Sequence, residues 1–162
     1  MKKIILGLDP GTATTGFGVI EEDRGKLEYI DCGYITTSKD KDPAQRLLII
    51  SESLEQIISQ YKPELVAVES LFFAKNRATA IAVAQARGVI LVGIAKHKLP
   101  ILEYTPLQIK QTLTGYGRAE KKQMQKMVQS ILKLREMPKV DDSADALAVA
   151  ICAAYCHKAV LK

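Results

Sequence analysis

Cysteine and histidine are scarce in this 162-residue chain: three thiols, Cys32, Cys152 and Cys156, and two imidazoles, His97 and His157. An odd cysteine count at scattered spacings excludes a disulfide framework and does not fit a structural zinc site. Cys152 and Cys156 fall on one helix face among alanines and read as buried thiols rather than as a metal pair with His157. His97, in KHKLP, reads as a surface residue. A long uninterrupted apolar run is also missing. ATAIAVAQARGVILVGIA comes nearest, but Gln85 and Arg87 break it, so it reads as a buried helix and not as a membrane span. The opening MKKIILGLD reaches an aspartate too early for a secretory leader. Internal repeats, linkers and low-complexity segments are absent. The expectation is one domain over residues 1–162, cytoplasmic, with no membrane partner and with 48% hydrophobic residues to build its core.

Acidic charge is the minority. Lys and Arg number 23 against 18 Asp and Glu, for a net charge of +5 and a pI of about 9.1. The excess leans toward a polyanionic partner, although a generic basic surface would read the same way.

The pattern along the chain predicts a layered α/β protein. KKIILGLD, GFGVIEED and KLEYIDCGYITT read as three strands joined by short connections, hence antiparallel. DPAQRLLIISESLEQIISQYK has Pro43 in its first turn, with Leu47, Ile50, Leu54, Ile57 and Ile58 at helical spacing. PELVAVES is a short buried strand, NRATAIAVAQARGVILVGIAKHK a long helix and PILEYT a fifth strand. PLQIKQTLTG, KKQMQKMVQSILKL and a segment beginning near Asp141 are helices. Strands 4 and 5 return through helical crossovers, which favours parallel pairing. The result is a five-stranded mixed sheet with helices on both faces.

Carboxylates sit where that scheme does not need them. Asp9 and Glu69 each close an apolar strand, where a charge is costly without a partner. Asp141, Asp142 and Asp145 crowd the front of an apolar helix. Taken singly, Asp9 is explained by the Pro-Gly turn, Glu69 by solvent, and the aspartates by capping and the helix dipole. Taken together they can converge on one point, and converging carboxylates repel unless a cation sits among them. An all-oxygen set calls for Mg²⁺ or Mn²⁺. Two such ions serve phosphodiester hydrolysis. Pro138 places a helix start shortly after it and makes Asp141 the N-cap candidate. Asp142 and Asp145, at i and i+3, would then share a face; geometry alone leaves Asp141 with Asp145, at i and i+4, open. Lys75, Arg77, Lys110, Arg118, Lys121 and Lys122 flank the acids in sequence and are expected to hold phosphates.

ILGLDPGTATTGFGVI, VAVESLFFAKN, AQARGVI, YTPLQIKQTLTGYGRAEKKQ and DDSADALAVA resemble, in order and from about residue 3 to residue 157, the RuvC family of bacterial crossover-junction endodeoxyribonucleases. The resemblance implies a ribonuclease H-like fold and a homodimeric, Mg²⁺-dependent nuclease. Such an enzyme nicks Holliday junctions symmetrically and acts with the RuvA–RuvB branch-migration complex. It implies Asp9, Glu69, Asp142 and Asp145 as metal ligands, two Mg²⁺ per subunit with Mn²⁺ as substitute, and leaves Asp141 without a counterpart. Lys110 and Lys121 match basic residues near the scissile phosphate, Lys121 counting with the catalytic set. Phe72 matches an aromatic that stacks on a junction base, with Phe73 as its neighbour. A two-fold junction also suits two identical sites, and the alanine-rich NRATAIAVAQARGVILVG helix is the candidate dimer interface. Three other readings stand beside this one. LGLDPGTATTGFGVI also resembles the phosphate loop of actin-like kinases, which need a second lobe. A related ribonuclease H-like nuclease could act on RNA or another branched nucleic acid. A junction-binding module with a decayed site would have lost a carboxylate, and here all are present.

Overall fold

The computed structural model describes residues 2–70 and 77–160, the side chains of 77–79 and 158–160 excepted. The elements are β1 (Lys3–Asp9), β2 (Thr14–Asp23), β3 (Lys26–Thr36), α1 (Pro43–Tyr61), β4 (Leu65–Glu69), α2 (Arg77–Lys96), β5 (Ile101–Tyr104), α3 (Pro106–Thr114), α4 (Lys121–Leu132) and α5 (Asp141–Val160). The strands lie in the order β3-β2-β1-β4-β5. β1, β2 and β3 pair antiparallel; β4 joins β1, and β5 joins β4, in parallel. The mixed sheet expected from the pattern is therefore present. β2 begins two residues earlier than expected, at Thr14, because its antiparallel register with β3 carries through to Thr36.

Local chemistry accounts for the boundaries. Arg24 and Gly25 both have positive φ, 51° and 95°, which suits a tight two-residue hairpin between Asp23 and Lys26. Asp42 caps α1, accepting from the Gln45 N–H at 3.0 Å ahead of Pro43. Thr105 and Gln108 form a reciprocal cap at the start of α3, and Gly115 ends it at φ 73°.

Strand alternation builds two cores. Ile5, Ile20, Leu65 and Ala67 face α3, α4 and α5 on one side. Leu6, Leu8, Val19, Val66 and Val68 face α1 and α2 on the other. β1 and β4 are thus covered on both faces, which is why they read as continuous apolar runs. α5 is buried all round from Ala146 to Ala154 and packs against β1, β2 and β3. Its seat is cut by glycine. A Cβ on Gly16 would stand 2.0 Å from the Asp142 carbonyl oxygen, and one on Gly18 would stand 2.7 Å from the Leu147 nitrogen. Both obstacles are backbone atoms, so any side chain there would lift the helix off the sheet. The Ser143 hydroxyl donates to the Gly33 carbonyl at 2.9 Å and pins the first turn of α5 to β3. Cys152 is buried and Cys156 half-buried, both against the Thr112 hydroxyl. His97 is exposed, beside Glu55. No helix among the described residues is long and apolar enough to cross a membrane.

Candidate active site

The acids meet because of register. β1 and β4 run in parallel with Leu8 opposite Val68, so the next residues, Asp9 and Glu69, end their strands side by side. Across the antiparallel pair, the partner of Asp9 is Gly16, the residue whose missing side chain admits the backbone of Asp142. α5 then brings Asp142 and Asp145 over the end of β1 on successive turns. Carboxylate oxygens of Asp9, Asp142 and Asp145 lie within 4.8 Å of one another, and Glu69 is hydrogen-bonded to Asp9. All four acids expected from the sequence are brought together.

The cluster is electrostatically unfavourable by itself. Burial, reinforced by Glu69, Asp145 and Asp142, pushes the Asp9 carboxyl from its ordinary 3.8 up to about 8. Burial also raises Glu69, with the positive charge of Lys110 pulling the other way. It raises Asp145 too, against the opposing influence of Lys121. Carboxylates crowded together in this way form a site for a hard cation, since a bound ion supplies the positive charge they lack. The donor set is all oxygen, which fits Mg²⁺ or Mn²⁺ and no soft metal.

Basic groups rim this cluster. Lys121, the first residue of α4, places Nζ 3.0 Å from Asp141 Oδ2 and 3.5 Å from Asp145 Oδ2. Burial would lower its ammonium, but these two carboxylates prevail and raise it. Lys110 on α3 faces Glu69. A cleft of about 220 Å³ opens between them, lined by Glu69, Asp145, Lys110 and Lys121 over Ile109 and Met124. Arg118 and Lys122 are exposed on either side of Lys121 in sequence. A larger groove of about 730 Å³, between the β2–β3 hairpin and the end of α4, holds none of these groups. Phe72, Phe73 and Lys75, and the side chain of Arg77, lie outside the described residues.

Asp141 departs from its expected role. It is the first helical residue of α5, preceded by Val140, which has no acceptor side chain. Its carboxylate turns away from the helix N–H groups to Lys121 and to Gln125 Nε2, at 3.1 Å. A tertiary ion pair has displaced a local cap. Gln125, Ser143 and the two glycines were not singled out from the sequence. Glycine at alternate positions of a strand, as in Gly16-Phe17-Gly18, was the signal for the close approach of α5.

A 3-2-1-4-5 mixed sheet, with acids at the ends of its two central parallel strands and on a helix laid across the sheet, defines a ribonuclease H-like nuclease. The chain matches the family described as crossover junction endodeoxyribonuclease RuvC over residues 5–153. It is 52% identical over 150 residues to the RuvC of Roseiflexus sp., covering 93% of this chain and 89% of that one. It is also 52% identical over 158 residues to the RuvC of Caldicellulosiruptor saccharolyticus, covering 97% and 95%. Thermus thermophilus RuvC in complex with a Holliday junction substrate matches with a TM-score of 0.92 at 32% identity, covering 98% of this chain and 96% of that one. The chain belongs to the RuvC family of crossover junction endodeoxyribonucleases.

Proposed function

We propose that this chain, acting as one nuclease unit over residues 1–162, resolves Holliday junctions by paired symmetric nicks. The observation that carries the reading is the joining of Asp9, Glu69, Asp142 and Asp145 into one all-oxygen cluster beside a cation-lined cleft. Those four acids would hold Mg²⁺, two ions per subunit, with Mn²⁺ as substitute. The bound ions would activate water and offset charge on the leaving oxygen of a phosphodiester. Before they bind, the proton shared by Asp9 and Glu69 must leave, which makes loading more favourable as pH rises. Lys110 and Lys121, which line the cleft, orient the scissile phosphate, Lys121 as part of the catalytic set. Arg118, Lys122, Lys75 and Arg77 contact flanking phosphates, and Phe72 stacks on a junction base.

The protein works as a homodimer. The α1–α2 face supports this: Leu48, Ile81 and Val92 are 56%, 66% and 57% exposed, and Leu47, Gly88 and Val89 line an apolar groove of about 560 Å³ beside them. A two-fold axis through that face would set two identical sites on a near-symmetric junction. RuvA–RuvB is the proposed partner complex, and the cytoplasm the proposed compartment.

The test is incubation of a mobile four-way DNA junction with Mg²⁺, comparing wild type with Asp9→Asn. Wild type is expected to leave two symmetric nicks, and the variant to bind the junction without cutting it. Cleavage of an RNA–DNA hybrid in preference to the junction would replace this reading with a ribonuclease one.

A further inference from the structure

Asp141 lies outside the carboxylate group that the cation would occupy, yet both of its oxygens are engaged. Oδ2 accepts from Lys121 Nζ at 3.0 Å and Oδ1 from Gln125 Nε2 at 3.1 Å. Lys121 and Gln125 stand one turn apart on α4, and Asp141 and Asp145 one turn apart on α5, so two helix faces meet through these four side chains. The same ammonium lies 3.5 Å from Asp145 Oδ2, which makes its contact with Asp141 the shorter of the two. Lys121 and Asp141 are 51% and 60% exposed, so their pairing contributes little to folding stability. Its consequence is geometric. A lysine head on a flexible four-carbon stem has no preferred place of its own. Without Asp141, the nearest carboxylate left to Lys121 is Asp145, and the ammonium would then neutralise an acid that a cation requires.

We propose that Asp141 is a positioning residue for the nuclease reaction: it draws the Lys121 ammonium to the outer lip of the acid cluster, leaving Asp145 only the longer contact and Nζ facing the cleft where the phosphate binds. The inference rests on the reading of Lys121 as a phosphate-side cation. Gln125 is the third member, holding the Asp141 carboxylate from α4.

A double-mutant cycle tests it. Asp141→Asn keeps the acceptor for Gln125 and removes the charge that attracts Lys121. Misplacing one reacting group costs about tenfold or more, so single-turnover cleavage is expected to fall roughly tenfold, with junction Kd unchanged within about twofold. Asp141→Glu, which restores the charge, is expected to recover most of that loss. In a Lys121→Ala background, Asp141→Asn is expected to add less than about twofold, because two residues acting through one contact are not additive. A readout without DNA accompanies it: the Mn²⁺ concentration at half-maximal thermal stabilisation should rise about threefold in Asp141→Asn, and by less when Lys121 is absent. Gln125→Ala, which leaves α5 untouched, should lower cleavage in the same direction and covers the case in which Asp141→Asn fails to fold. Fold-losses that multiply in the double variant, or wild-type cleavage by both Asp141→Asn and Gln125→Ala, overturn the proposal while leaving the function of Lys121 intact. Wild-type cleavage by Lys121→Ala alone overturns instead the reading on which the proposal rests.

Discussion

Replacing Asp9 by asparagine should make the metal-free protein more stable, and increasingly so as the pH rises. The folded carboxyl holds its proton up to about pH 8, against an ordinary value of 3.8. A folded state that binds a proton more tightly than the unfolded chain is favoured at low pH. That contribution is complete below about pH 3.8, declines as pH rises through the interval, and is gone above about 8. Each pH unit inside the interval is worth about 1.4 kcal/mol, so wild type should lose on the order of 4 kcal/mol from this group between pH 5 and pH 8. Asparagine keeps the shape and can still donate to Glu69, but does not titrate. Thermal melts in EDTA, followed by circular dichroism, should therefore show a gap between variant and wild type that widens over these three pH units. At about 2–4 °C per kcal/mol for a chain of this size, the gap should grow by roughly 10 °C. Excess Mg²⁺ should narrow the gap, since wild type alone gains its full stabilisation from the ion, about 2.7 kcal/mol at a hundredfold excess over Kd. Parallel melting curves for the two proteins across pH would refute the account of Asp9 as a carboxyl strained by burial and by its neighbours.

Three further expectations follow from the geometry. Gly16→Ala should lower stability by about 1–3 kcal/mol through overpacking against the Asp142 backbone, and single-turnover cleavage should fall roughly a hundredfold as Asp142 and Asp145 are displaced; wild-type cleavage in a folded variant would contradict the seat assigned to α5. Lys110→Ala should weaken junction binding and reduce the slope of log affinity against log salt by about one, readable by fluorescence anisotropy between low and physiological salt. Val92→Asp, on the exposed α1–α2 face, should shift a dimer to monomer in light scattering while leaving the melting profile of the monomer largely intact.

The strands and helices were legible because their signals are local. Pro43 and Pro106 mark helix starts, Gly115 marks an end, and the unbroken apolar runs of β1 and β4 announce strands covered on both faces. Asp9 and Glu69 were legible for the opposite reason, as charges placed where an apolar strand does not call for them. What escaped were contacts whose partners lie far along the chain. Gly16 and Gly18 look like weak points in a strand until α5 is laid on them. Asp141 resembles a cap because Pro138 stands close before it, whereas its actual partners, Lys121 and Gln125, belong to another helix. A local cap and a tertiary ion pair compete for the same oxygens, and only the folded arrangement of α4 against α5 decides between them.

The position of α5 has a consequence for the order in which the molecule is made. Asp9 and Glu69 are translated early, on strands that pair with each other. Asp142 and Asp145 come with α5, the last element in chain order. That same helix supplies the residues that fill one side of the sheet, from Ala146 to Ala154. A growing chain that has not yet delivered α5 therefore lacks two of the four clustered acids and a large part of one of its two cores at once. Closure of that core and assembly of the four-acid cluster therefore hang on one and the same helix.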